Sequence, residues 1–139
     1  HSVERISKLS SVISINGGVQ LDLMGQENAE STGTRQLSGV GGQMDFLEGA
    51  YRSKGGKGFI CINSSRVTKD GERKSNILAT IPGGSTISAP RTMIQYVATE
   101  YGIASLSGKT LRERAEAMAA IAHPDFREEL MKYARENFK

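Results

Sequence analysis

The run "GFICI", Gly58 to Ile62, constrains the fold more than any other stretch. It is continuously apolar and follows "SKGGKG", which reads as a helix stop, so it predicts a short strand buried on both faces, the kind found in mostly parallel sheets. Such a strand needs helices to cover it, and the last third of the chain supplies two. Thr110 with Glu113 three residues later forms a capping box opening "TLRERAEAMAAIA". Leu111, Ala115, Met118 and Ala122 make its apolar stripe. His123-Pro124 ends that helix and begins "DFREELMKYARENF", where Phe126, Leu130 and Tyr133 or Ala134 face inward and Asp125, Glu128 and Glu129 complement the helix dipole.

Upstream, "VERISKL" predicts a short polar helix and "SVISI" a strand. "VQLDLMG" alternates Val19, Leu21 and Leu23 with Gln20, Asp22 and Met24, a strand with one packed face. Residues 26 to 42 lack periodicity and read as a long loop, which in a compact domain is usually functional or disordered. "MDFLEGAYRS" then predicts a short helix. "RVTKDGERKSNIL" predicts a hairpin turned at Asp70-Gly71, and "STISAP" and "MIQYVATEYG" predict two more strands. Strands alternating with helices give an α/β fold with a mixed, mostly parallel sheet flanked by helices.

At 139 residues the chain is one domain, long enough to bury a core without staples. Its 18 Lys and Arg against 15 Asp and Glu are dispersed, so the pI near 9.1 argues for a liking for anions, not for a nucleic-acid surface. Cys61, the single cysteine, is expected to be a buried strand residue in a reducing compartment. No window is apolar enough for a membrane span and no leader opens the chain, which predicts a cytoplasmic protein. The start "HSVERIS" carries no Met and fits a processed chain, a tag remnant or an excised piece.

"LSGVGGQMDF" concentrates Gly39, Gly41 and Gly42 in four positions, at a cost of about 0.5 to 1 kcal/mol each relative to Ala in regular structure. Either the backbone needs a special shape there or a ligand comes close. The dinucleotide fingerprint fails, because its third glycine falls on Met44. "GIASLSGKT" fails as a phosphate loop at Ile103, and Lys54 to Gly58 has no Ser or Thr after its lysines. What remains is a small-residue loop feeding a helix amino terminus, equally suited to a phosphate, an acyl oxyanion or a structural turn. Neither histidine has a second ligand at metal spacing, so no metal is expected.

The segments "DLMGQENAES", "SGVGGQMDF", "TEYGIASLSGK" and "AHPDFREEL", in that order, resemble the C-terminal domain of the acetyl-CoA hydrolase and 4-hydroxybutyrate or butyryl-CoA transferase family. The likeness spans nearly the whole chain. It implies a fold of the NagB/RpiA/CoA-transferase type, with two related α/β domains facing across a cleft, and residues 1–139 as the C-terminal one. It implies coenzyme A as substrate and product with no separate cofactor, acyl-CoA and short-chain carboxylates as partners, and a homo-oligomer. The implied reaction moves CoA through a glutamyl-CoA thioester; hydrolysis of the acyl-CoA, or CoA binding without chemistry, are the alternatives.

The nucleophilic glutamate of that family lies upstream of the matched region, so the N-terminal domain and catalytic segment are expected to be absent here and the chain incomplete on its own. Glu27, Glu30 and Glu100 are accordingly read as surface or structural carboxylates. The resemblance makes Gly33 in "ESTGTRQ" a backbone donor to the thioester oxygen, and Gly39, Val40, Gly41, Gly42 and Gln43 a wall over the CoA arm. Lys54 and Lys57 are candidates for a CoA phosphate. Asp45 is expected to serve the helix start and His123 to cap its helix.

Overall fold

The computed structural model describes all 139 residues, His1–Lys139. In chain order it contains α1 (Val3–Ser7), β1 (Ile13–Gly17), β2 (Gln20–Asp22), β3 (Glu27–Asn28), β4 (Ser31–Thr32), β5 (Arg35–Gln36), α2 (Gln43–Arg52), β6 (Lys57–Cys61), β7 (Ser65–Val67), β8 (Arg73–Ser75), β9 (Ile77–Leu78), β10 (Tyr96–Thr99), β11 (Gly102–Ser105), α3 (Leu111–Ala120) and α4 (Pro124–Asn137). The central sheet runs β1-β6-β10-β11, with β1, β6 and β10 parallel and β11 antiparallel at the edge. It is the mixed, mostly parallel α/β sheet that the alternation of strands and helices implies.

All the helices lie on one face of this sheet. Ser14, Ile60, Val97 and Ala104 point into the core formed with Leu47, Ala115, Met118 and Leu130. α2 packs so closely over β6 that a methyl group at Gly58 would lie 3.0 Å from a Leu47 methyl. α1 in turn lies on α2 at Gly49, where a methyl group would approach Ile6 to 2.4 Å. "GFICI" is therefore a strand, but not one buried on both faces: Ile60 is fully buried, Phe59 half-buried and Cys61 exposed. The expectation of a buried Cys61 is overturned for the same reason. Its side chain points to the face that carries no helix.

β2 departs from its pattern in the opposite sense. Gln20, Leu21 and Asp22 are all buried, because β2 lies between β3 and β9 in a second small sheet. Asp22 survives burial by accepting from the Met24 amide at 3.0 Å, the Gln26 amide at 2.9 Å and the Gln26 side chain at 2.6 Å. The stretch 26 to 42 is not one open loop. Its first half is folded by β3 and the β4–β5 hairpin, and by buried Asn28, whose Oδ1 accepts from the amides of Glu30 and Ser31, both at 3.0 Å.

The hairpin at Asp70-Gly71 forms as β7–β8, with Gly71 at φ 81°. "STISAP" is not a strand. Its backbone pairs only at Glu27, in a single bridge with Ala89, while the Thr86 amide donates to Ser31 Oγ at 3.0 Å and Ser88 Oγ accepts from the Ala29 amide at 2.9 Å. "MIQYVATEYG" yields β10 and the turn into β11. The capping box of α3 is complete, and His123 caps α4 by accepting from the Asp125 amide at 3.2 Å. Leu111 alone among the expected α3 stripe is exposed. No helix is long and apolar enough to cross a membrane.

Candidate functional site

β1, β6 and β10 end at the same edge of the sheet, and α2, which crosses back from β1 to β6, begins there. In open α/β folds ligands bind in the crevice beyond the carboxyl ends of the strands. A depression of about 430 Å³ lies at this edge, lined by Gly18, Cys61, Ile62, Asn63, Thr99 and Glu100 among others. Burial pushes the Glu100 carboxyl up, but hydrogen bonding from Ser64, whose amide reaches its two oxygens at 2.9 and 3.2 Å, prevails and holds it below the usual carboxylate range. It is an ionised, fixed acceptor on the rim.

Behind Gly18 lies Glu27, a fully buried carboxylate. A methyl group at Gly18 would approach Glu27 Oε1 to 2.8 Å, so this glycine is required by the carboxylate behind it. Oε1 has no hydrogen-bond partner, while Oε2 accepts from the Gln43 side chain at the head of α2. Burial raises the Glu27 pKa from 4.5 to about 7, against the Gln43 bond and with help from the nearby Glu30 charge. Gln43, read as a wall of the cleft, is thus engaged with the fold through Glu27.

The glycines divide by cause. Gly33, between β4 and β5, and Gly41 have φ of 55° and 60°, which favours glycine on conformational grounds. Gly39 has no such φ, and a methyl group at Gly33, Gly39 or Gly41 would meet nothing within 4 Å. Gly42, the N-cap of α2, supplies no side-chain cap, and a methyl group on it would meet the His1 ring at 2.6 Å. Val40 is exposed, which leaves an apolar side chain on the same open loop. Asp45 accepts no helix amide; it lies in the first turn, where its charge complements the dipole, and contacts His1 Nδ1 at 2.5 Å.

Gly39 and Gly41 therefore stand with open backbone, in a loop tied down by the Leu37 and Ser38 amides donating to the Glu30 carbonyl at 2.7 and 3.2 Å, and Gly33 is open at the β4–β5 turn. Lys54 and Lys57 do not join them. They follow the carboxyl end of α2, a 10-residue helix and so about 15 Å long, at the opposite edge of the sheet. A second cavity of about 390 Å³, between α4 and β8–β9, is lined by Arg66, Arg73 and Lys74, but Arg66 donates to Asn76 at 2.7 Å and Arg73 to Ser65 at 2.8 Å.

Two buried ionisable groups were not legible as site-builders. Glu27 lies in "GQENAES" with no flanking signal of burial. Arg114 reads as one more polar residue of an amphipathic helix, yet its guanidinium donates to the carbonyls of Met24 at 2.9 Å, Leu106 at 3.1 Å and Arg91 at 2.7 Å. Both are betrayed only by partners distant in sequence.

A mostly parallel sheet whose parallel strands end together beside a helix amino terminus makes an α/β domain of the class in which ligands bind at that edge. The chain belongs to the family described as the acetyl-CoA hydrolase/transferase C-terminal domain, which it matches over residues 1–134. It is 49% identical over 133 residues to the 4-hydroxybutyrate coenzyme A transferase of Clostridium kluyveri, covering 96% of this chain and 30% of that protein. It is 47% identical over 134 residues to the butyryl-CoA:acetate CoA-transferase of Anaerostipes caccae, again covering 96% of this chain and 30% of the relative. The crystal structure of RipA from Yersinia pestis superimposes with a TM-score of 0.84 at 38% identity, over 97% of this chain and 30% of that one. The chain thus spans about a third of the length of the relatives it matches.

Proposed function

We propose that residues 1–139 are the C-terminal domain of a carboxylate CoA-transferase that moves CoA between an acyl-CoA and a carboxylate of the butyrate, acetate or 4-hydroxybutyrate type. The observation that carries this is Gly39. Neither backbone conformation nor crowding calls for a glycine there, and the open space would let a ligand reach the main chain. Membership of the family and the names of the relatives supply the ligand class.

The reaction proposed is nucleophilic catalysis by a glutamate carboxylate from outside these residues, facing the opening from an N-terminal domain. Its oxygen attacks the thioester carbonyl, the C–S bond breaks and CoA thiolate leaves, giving an acyl-glutamyl anhydride. The thiolate then attacks the glutamyl carbonyl and releases the acyl carboxylate, and an acceptor carboxylate runs the steps backwards. Gly33 offers its amide to the oxyanion, while Gly39 to Gln43 and the first turn of α2 line the CoA arm. CoA is substrate and product, with no separate cofactor. The whole protein is proposed to be a cytoplasmic homo-oligomer that binds neither nucleic acid nor membrane.

The test uses the full-length polypeptide with butyryl-CoA, in the presence and absence of acetate. Formation of acetyl-CoA with little free CoA supports transfer; release of free CoA at one rate in both conditions overturns it in favour of hydrolysis. Because Gly33 has a positive φ, Gly33→Val combines backbone strain of about 1–2 kcal/mol with a blocked approach, whereas Gly33→Asn tolerates the conformation. Turnover should fall by about 100-fold or more in the Val variant if the amide is an oxyanion donor. The Asn variant should keep the melting temperature of the parent.

A further inference from the structure

We infer that the helix-free face of the central sheet is the seat of the rest of the polypeptide, which covers it with an apolar layer. This rests on reading the chain as one domain of a longer protein, but not on the chemistry proposed above. Along the paired strands the outward residues include Ile13 and Ile15 of β1, Phe59 and Cys61 of β6, Tyr96 and Ala98 of β10 and Ile103 of β11, with Lys57 and Ser105 as the polar members of the same face. Ile15 is 69% exposed, Ile103 62% and Ile13 53%. Phe59 and Tyr96 stack across neighbouring strands with ring centroids 4.8 Å apart, forming a flat aromatic centre between the isoleucines.

Sheets with parallel strands occur almost only with both faces covered, and a continuous apolar patch rimmed by polar groups marks an interface. No helix of these 139 residues reaches that face. The relatives supply the occupant: this chain covers 30% of each, and the family is defined as a C-terminal domain, so more than two thirds of their length is available to pack against it. A second copy is the competing occupant.

Cys61 reports directly, because it is exposed on this face and is the only cysteine in tryptic peptide Gly58–Arg66. The full-length protein is labelled with iodoacetamide natively and in urea, and that peptide is quantified by mass spectrometry over a 100-fold range of protein concentration. The expected result is at least 10-fold slower labelling in the native state at every concentration. Labelling as fast as in urea overturns the inference, and protection lost on dilution gives the face to a second copy and also overturns it. Ile15→Asp should restore labelling while retaining the far-UV circular dichroism; if that variant does not fold, the wild-type measurement decides alone. Acyl transfer assayed on the same sample reads the chemistry independently, so either proposal can fail while the other stands.

Discussion

Replacing Glu27 with Gln should flatten the acid dependence of this domain's stability. The Glu27 carboxyl is fully buried, one of its oxygens has no partner, and its pKa rises from 4.5 to about 7. At about 1.4 kcal/mol per pKa unit, that rise corresponds to about 3 kcal/mol. The folded state holds the proton more tightly than the unfolded one, so the contribution is fully present below pH 4.5 and is lost as pH rises through about 7. Above that, the domain carries an ionised carboxylate with only the Gln43 amide to compensate it. Urea unfolding of wild type and Glu27→Gln at pH 4.5, 6, 7 and 8 isolates the effect, because groups common to both cancel. The difference, wild type minus variant, should decline by about 3 kcal/mol across the range. A difference that is constant with pH would refute the assignment of Glu27 as the buried titrating group.

Arg114→Met should cost about 3 to 5 kcal/mol, because it leaves the carbonyls of Met24, Leu106 and Arg91 without their shared donor; thermal denaturation checks this, and a loss below about 1 kcal/mol would contradict it. Gly49→Ala should destabilise even though alanine favours helices, since the added methyl lies 2.4 Å from Ile6; exchange protection should be lost first in α1, and a rise in melting temperature would show that α1 does not pack there.

The helices were legible because their signals are local: Thr110 and Glu113, or His123 and Pro124, carry cap and start within four residues. The turn at Gly71 was legible for the same reason. What was misread depends on what lies across a face. Cys61 and Phe59 look like core residues in sequence and become outward-facing only because all the helices take the other side. "STISAP" has strand composition, yet the hydroxyls of Ser31 and Ser88 offer its backbone and that of Ala29 better-placed partners than a ladder would. Of the glycine loop, composition marked an unusual backbone or a close ligand at Gly39 to Gly42, whereas its separation from Lys54 and Lys57 required knowing the length and direction of α2. Glu27 and Arg114 were opaque, since nothing near them in sequence announces burial.

The clamp at Arg114 has a consequence for the order in which this molecule can come into being. Its bond to the Met24 carbonyl spans 90 residues, and the turn it secures leads directly into the strands that carry Gly33. During synthesis the front of the domain must wait, its turn held only by the local bonds to Asp22, until the third helix has been made. A ribosome that stalls before residue 114 would leave that early segment exposed to proteases, however well its own hairpin is formed.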